Sequence, residues 1–224
     1  ICMAQNEKSE RFDFGATARE RLAAEVQKRL SPRRFAHTKG VEETAAAMAA
    51  LYCPEKEEML RAAALLHDVT KELPQEEQKE ILARHGVTLR ADEAAAPEVL
   101  HGMTAALIIP EEFPTFAAPE LISAVRWHTT GCAGMSLTDA IICLADTIEP
   151  GRAYPACVAL RNRFFGAHPE QMEPVARAGW LARVLLDSLE GTLTSLAERG
   201  KPVSQDTEKT VRWLKQENNP FWGN

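Results

Sequence analysis

The residues best suited to chemistry in this sequence are histidines and aspartates that interrupt apolar stretches. In the segment AAALLHDVTK, His67 and Asp68 directly follow five apolar residues, and Lys71 comes shortly after them. A polar group in an apolar setting must find a partner, and one cation can satisfy an imidazole and a carboxylate together. The pair therefore favours a metal site over a chance surface position.

Four more ligand-type residues lie in comparable settings along the chain. His101 lies in PEVLHGMTAALII beside Gly102, which allows close approach of a neighbouring segment, and His128 closes the stretch LISAVRWH. Asp146 follows six largely apolar positions, and His37 opens a long Ala-rich segment. Each has an ordinary alternative, because a lone histidine is commonly a core residue and an aspartate near a helix end can bond backbone amides. Taken together, the segments predict one shared metal site.

The chemistry of this ligand set indicates which ions it suits. Imidazoles and carboxylates without thiolates fit iron, manganese, zinc or similar ions better than a structural cysteine–zinc site. Four histidines and two aspartates exceed what one ion takes in a catalytic site with open positions. We therefore expect two divalent ions bridged by a carboxylate such as Asp68. The other two histidines, His85 and His168, are interpreted as surface residues.

Helices must position these residues, because apolar residues recur at three- and four-residue spacing and no alternating strand pattern is evident. The predicted fold class is all-α, a single compact helical bundle over residues 17–218, with a flexible N-terminal segment at 1–16 and a tail at 219–224. The helices are predicted over 17–30, 39–52, 55–67, 75–85, 97–109, 119–128, 137–148, 155–165, 174–199 and 205–217.

Charge and cysteine content limit the partners. The formal net charge is −6, which argues against non-specific nucleic-acid binding, because that binding needs a basic surface. The five cysteines include no C-x-x-C pair, and an odd set of reduced thiols is typical of a cytoplasmic protein. No apolar run approaches the ~18–20 residues that a membrane span needs. We expect a cytoplasmic protein without nucleic-acid or membrane partners. A small phosphorylated substrate is compatible with this charge, because a few local cations can serve one pocket.

The order of these residues resembles that of a known family. His37, His67 with Asp68, His101, His128 and Asp146 follow the ligand order of the HD superfamily of phosphohydrolases. Within it, RFAH, LLHDVTK, HG, HTTG, LADTIEPGR and LAERGKPVSQDT look like the bacterial symmetrical diadenosine tetraphosphate hydrolases of HD type, over about residues 20–215. HTTG followed by ADxIEPxR at this spacing is the specific part of the likeness.

The resemblance implies an HD-domain bundle with a di-iron site, manganese or another transition metal being the alternative. It implies symmetrical hydrolysis of diadenosine tetraphosphate to two ADP by a metal-activated hydroxide. Cys132 stands where a basic residue is expected after HTTG, and Thr147 where an aromatic is usual, which leaves the preferred dinucleotide open. The implied metal ligands are His37, His67, Asp68, His101, His128 and Asp146, the catalytic residues Asp68 and Lys71, and the substrate contacts Arg34, Lys71, Thr130, Gly131 and Arg152.

Other functions stay open on the sequence. A different HD phosphohydrolase would act on deoxynucleotides, guanosine tetraphosphate or a cyclic dinucleotide, although no GYP-type signature favours the last. A non-catalytic sensor would bind a dinucleoside polyphosphate or a nucleoside diphosphate in the same pocket. A plain helical interaction module would leave several ligand-type residues without partners in apolar segments. The sequence also leaves a homodimer open.

Overall fold

The computed structural model describes residues 12–216 and contains only helices, turns and loops within them. The predicted all-α class is confirmed. Four short 3-10 turns, each beginning at a proline, precede or join the longer helices. The α-helices are α1 (Ala16–Arg29), α2 (Pro32–Tyr52), α3 (Glu57–Leu66), α4 (Gln75–Arg84), α5 (Ala91–Ala95), α6 (Leu100–Glu112), α7 (Pro119–Trp127), α8 (Leu137–Ile148), α9 (Pro155–Gly166), α10 (Pro174–Glu198) and α11 (Gln205–Leu214).

Helix α2 begins well before its predicted start at residue 39. Ser31 caps it, because its side chain accepts a hydrogen bond from the Arg34 backbone nitrogen at 3.2 Å. Pro32 occupies the first helical position, where its missing N–H costs nothing. The predicted boundary is wrong because the Ser-Pro start was not recognised. As a result His37 lies in the second turn of α2, on the side of the helix.

Small residues allow the helices that carry the ligands to pack closely. Helix α2 packs against α3 and α8, and α7 packs against α6 and α8. Ala45, Ala49 and Ala63 are fully buried in this core, together with Leu65 and Ile141. Each large aliphatic side chain buried this way contributes roughly 1.5–3 kcal/mol. The core therefore forms a stiff frame from which the ligand-bearing helix ends project.

The two ends of the chain differ from the interior. Residues 12–15, the last part of the segment predicted to be flexible, lie against the core, where the rings of Phe14 and Phe116 are 6.1 Å apart. The remainder of that segment and the predicted tail at 219–224 lie outside the described residues. Within residues 12–216, none of the helices has the length and apolar character to cross a membrane.

Candidate metal centre

The six candidate ligands come from five helices and meet in one place. His67 and His128 directly follow the last residues of α3 and α7. Asp68 is next to His67 in the chain. The other three project from helices, His37 from α2, His101 from the first turn of α6 and Asp146 from the last turn of α8.

Asp68 lies between two groups of imidazoles, with one carboxylate oxygen toward each. Its Oδ2 is 3.7 Å from His37 Nε2 and 3.4 Å from His67 Nε2. Its Oδ1 is 3.2 Å from His101 Nε2 and 3.8 Å from His128 Nε2. A carboxylate in this position can bridge two ions, one on each side.

The remaining distances divide the centre into two halves. In the outer half, His37 Nε2 is 2.9 Å from Asp146 Oδ1. In the inner half, the Nε2 atoms of His101 and His128 are 2.9 Å apart. Two ligands that share one ion, each with a bond of about 2.0–2.2 Å, have donor atoms about 3 Å apart. Both halves therefore have the spacing of a coordination shell, while His67 and Asp68 lie between them.

Backbone carbonyls fix the orientation of two imidazoles. Nδ1 of His67 donates to the Ala64 carbonyl at 2.6 Å, and Nδ1 of His128 donates to the Val125 carbonyl at 2.7 Å. Their Nε2 atoms then carry the free lone pairs. Among residues 12–216, Nε2 of the fully buried His67 has no hydrogen-bond partner. Leaving a buried polar atom unsatisfied costs about 1–3 kcal/mol, and a cation removes that cost.

Burial keeps the imidazoles of the inner half neutral. It lowers the pKa of His128 to about 3, and the neighbouring His101 and His67 add to the effect. Burial also lowers the pKa of His101, against the opposing influence of Asp68. A metal ion binds the neutral imidazole, so this environment suits a ligand.

The two carboxyl groups are held in their charged form. Burial raises the pKa of Asp68, but His67 and His101 outweigh it and leave that pKa well below its ordinary value. Burial likewise opposes ionisation of Asp146, and His37 and Arg152 again bring the pKa well below its ordinary value. Ionised carboxylates beside the neutral inner imidazoles make a donor set that fits divalent cations. Burial lowers the pKa of His67, but Asp68 and Asp146 outweigh it and raise that pKa, so a cation there would compete with a proton.

A buried acid, not predicted from the sequence, orients His37. Nδ1 of His37 donates to Glu149 Oε1 at 3.0 Å, and the Gly151 backbone nitrogen donates to Oε2 at 2.5 Å. A Cβ added to Gly40 would be 2.3 Å from Glu149 Oε2, so only glycine leaves room for the carboxylate. Such an acid fixes the tautomer and the direction of a metal-binding imidazole. No local pattern marks Glu149, because its partner is far away in the chain.

Three of the predicted substrate contacts border the centre. Arg34 donates to Asp68 Oδ2 at 2.9 Å, and Arg152 donates to Asp146 Oδ1 at 2.6 Å. Lys71 Nζ lies 3.2 Å from His101 Nδ1. Burial lowers the pKa of Lys71, while Asp68 and Asp146 oppose that change. The centre therefore has basic groups on both its outer and inner sides.

Thr130 and Gly131 are placed differently. The buried Thr130 hydroxyl donates to the Gly131 carbonyl at 2.9 Å. Gly131 has a φ of 64°, and a Cβ there would be 2.6 Å from Thr210 of α11. Thr129 is the neighbour that reaches the inner half, with its hydroxyl 3.0 Å from His128 Nε2. The structure thus places Gly131 against α11, ties the Thr130 hydroxyl to the neighbouring backbone and turns Thr129 toward the centre.

An open cleft of about 940 Å³ adjoins the outer half of the centre. Arg34, His37 and Arg152 line both the cleft and the centre, so the two spaces are continuous. We call this space the outer cleft, and its wall also includes Arg33 and Tyr154. The volume lies within the range of about 300–1,000 Å³ that is usual for small-molecule sites.

Comparisons with known proteins agree with this geometry. A family model described as the HD domain matches residues 34–151. The symmetrical bis(5'-nucleosyl)-tetraphosphatase of Bacillus subtilis (strain 168) is 31% identical over 88% of this chain and 97% of its own length. A protein of the same description from Halalkalibacterium halodurans is 31% identical over 84% of this chain and 92% of its own length. A crystal structure from Clostridium acetobutylicum, described as a predicted HD superfamily hydrolase involved in NAD metabolism, superposes with a TM-score of 0.74 at 27% identity, covering 87% of this chain and 95% of that one.

Proposed function

The chain belongs to the HD domain family and to the group of its relatives described as symmetrical bis(5'-nucleosyl)-tetraphosphatases, and on that premise we propose that it hydrolyses diadenosine tetraphosphate to two ADP. The observation that carries the proposal is the position of Asp68, with one oxygen toward His37 of the outer half and the other toward the inner pair. That arrangement suits two divalent ions. We propose iron for both ions, with manganese as the alternative. A cytoplasmic location and a homodimer remain predictions.

Magnitudes explain why this site needs cations. Enzymes accelerate their reactions by about 10⁶- to 10¹⁷-fold, and still more for the slowest phosphate hydrolyses. General acid–base catalysis by a side chain supplies only about 10²- to 10⁴-fold. Divalent ions held by the six ligands would lower the pKa of a bound water and polarise a phosphoryl oxygen. The rest of the acceleration then depends on how the protein positions and neutralises the polyphosphate.

The basic side chains around the centre supply that neutralisation. Arg34 and Arg152 each hold a ligand carboxylate, so they are fixed in place beside the position that we assign to the phosphates. Lys71 lies on the inner side, next to His101. Charge that develops on the phosphoryl and leaving oxygens would face a preorganised group on either side. Arg152 also helps to keep Asp146 ionised.

The orientation of the imidazoles is the second contribution of the chain. His67 and His128 are held by backbone carbonyls, and His37 is held by Glu149. None of these bonds uses an Nε2 atom. The three Nε2 lone pairs therefore point into the centre before any ion arrives, so little rearrangement accompanies loading.

A single experiment tests the proposal. The purified protein is stripped of metal, reloaded with iron or manganese, and given diadenosine tetraphosphate while its metal content and its nucleotide products are measured. We expect ADP as the only nucleotide product and about two ions per chain. ATP with AMP would show asymmetrical cleavage, and tight binding without products would indicate a sensor.

Other nucleotides in the same assay separate the neighbouring activities. Deoxynucleoside triphosphates and guanosine tetraphosphate represent the other HD phosphohydrolase reactions. NAD is included because the Clostridium acetobutylicum relative is described as involved in NAD metabolism. Faster turnover of any of these than of diadenosine tetraphosphate would overturn the substrate assignment and leave the metal centre intact.

A further inference from the structure

The outer cleft has a basic wall formed by the start of α2 and the segment after α8. Arg33 and Arg34 lie in the first turn of α2, and Arg152 lies across from them. The first turn of α2 contains no acidic residue. The positive end of a helix dipole is ordinarily complemented by acids, and here Glu72, from outside the helix, binds the N-cap Ser31. The two arginines add positive charge beside it, which would attract a bound anion.

The charge in this wall is only partly neutralised by the protein itself. Glu72 approaches the same helix end, but its carboxylate binds the Ser31 backbone nitrogen at 2.6 Å and hydroxyl at 2.7 Å. Arg34 is paired with Asp68. Within residues 12–216, the exposed Arg33 has no ion-pair partner. Among the described arginines of this wall, Arg33 is thus the one without an ion pair, whereas Arg34 and Arg152 hold ligand carboxylates.

Tyr154 adds an aromatic surface to the same cleft. Tyr154 is 66% exposed. Among the described residues, Val175 is the one other large hydrophobic residue with comparable exposure. Tyr154 is the N-cap of α9, with φ −62° and ψ 134°, and Pro155 follows it. Proline disfavours the helical conformation in the residue before it, so the backbone of Tyr154 is held extended. The ring therefore projects from a backbone segment of restricted conformation at the edge of the cleft.

We infer that the outer cleft binds one nucleoside diphosphate half of the substrate, with Arg33 and Arg152 toward its phosphates and Tyr154 stacked on its base. The inference rests on the proposed function, because symmetrical cleavage at the middle of the tetraphosphate leaves one nucleoside diphosphate on each side of the centre. One half of the bound substrate must therefore extend from the centre into a space that is continuous with it. The outer cleft is such a space, and both the exposed Arg33 and the exposed ring of Tyr154 line it.

Tyr154→Ala tests the assignment when a substrate with two bases is compared with a substrate that has one. The wild-type protein should have a lower KM for diadenosine tetraphosphate than for adenosine 5'-tetraphosphate, because the second base contributes stacking. Stacking of a base on an aromatic ring corresponds to roughly tenfold in affinity. In Tyr154→Ala the two KM values should become about equal, and Tyr154→Phe should restore the difference between them. Val175→Ala is the matched control for loss of an exposed apolar side chain.

Arg33→Ala separates the phosphate contact from the base contact. Both substrates contain the tetraphosphate, so this change should raise both KM values by a similar factor and leave their ratio unchanged. Calorimetric titration with ADP gives a reading independent of turnover: we expect two binding steps in the wild-type protein and an approximately tenfold weakening of one of them in Tyr154→Ala.

The outcomes distinguish this inference from the proposed function. A wild-type protein that does not cleave diadenosine tetraphosphate overturns the function itself. A protein that cleaves it, but in which Tyr154→Ala preserves both the substrate ratio and both ADP binding steps, overturns the assignment of the outer cleft alone.

Discussion

The two halves of the candidate metal centre are built from the same residue types but are held in place differently. In the outer half, His37 and Asp146 are positioned by charged side chains, Glu149 and Arg152, and they adjoin the open cleft. In the inner half, His101 and His128 are almost fully buried, and a backbone carbonyl orients His128. The difference suggests that substrate approaches the outer half, while the inner half is a rigid part of the core.

The largest effect is expected where the two halves meet. Asp68→Ala removes the carboxylate between them, so both ions should be lost and kcat/KM should fall by at least ~10³-fold. Metal quantification and turnover measure the two losses together, and circular dichroism checks that the helices remain. Asp187→Ala, at an exposed pair with Arg163, is the control and should change neither property. An active Asp68→Ala protein with no metal would refute the centre.

The next effect concerns a residue of the inner side that is not a ligand. Lys71→Ala should leave the metal content unchanged and reduce kcat by roughly 10²- to 10³-fold, because a preorganised group beside the phosphates is lost. Lys79→Ala provides the comparison, since Lys79 lies on α4 in an exposed pair with Glu76. Loss of metal in Lys71→Ala would show that the lysine supports His101 instead.

Glu149→Gln tests whether the outer half depends on its charged support. The amide keeps the size of the side chain, but it removes the charge opposite His37 and places a donor near the Gly151 N–H. Changes of this kind cost about 10- to 100-fold in metal affinity. We expect one ion to weaken by that factor while the other stays bound, as measured by competition with a chelator. Equal weakening of both ions would remove the distinction between the halves.

The smallest effect on turnover is expected from a change in the tight packing around the inner half, which should act on stability instead. A Cβ on Gly102 would be 3.0 Å from the Arg126 carbonyl oxygen and 3.4 Å from His128 Cε1. Gly102→Ala should therefore lower the free energy of unfolding by about 1–3 kcal/mol, as overpacking does. Gly191→Ala, in an open position of α10, should raise it by up to ~1 kcal/mol. Denaturant unfolding measures both variants. Equal free energies of unfolding would show that the packing around Gly102 relaxes enough to accept the added methyl group.

Helix content and the candidate ligands were accessible from sequence because both depend on local patterns. Apolar periodicity placed α8 at its observed bounds, and ligand-type residues in apolar stretches singled out the six side chains that the structure brings together. The predicted start of α2 is too late because Ser31 and Pro32 already begin the helix, ahead of the apolar repeat. Helix α5 was missed because it has only five residues.

Contacts between distant segments could not be predicted in the same way. Glu149 is 112 positions from His37, and nothing in IEPGR indicates that the acid faces an imidazole. Gly131 likewise meets Thr210, which belongs to the far end of the chain. Such pairs depend on how helices pack against one another, and packing is decided by the shapes of whole surfaces instead of by spacing along one segment.

The hydrogen bonds from His67 and His128 to carbonyls three residues earlier have a practical consequence. Each ring donates a hydrogen bond to a carbonyl in the last turn of its own helix, where carbonyls lack helical partners. The ends of α3 and α7 therefore anchor the two rings. Folding alone is then sufficient to set these donors in place. The apoprotein should accept whichever divalent ion is supplied to it afterwards, without passing through denaturant, and the metal found after purification will reflect the growth medium as much as the selectivity of the protein.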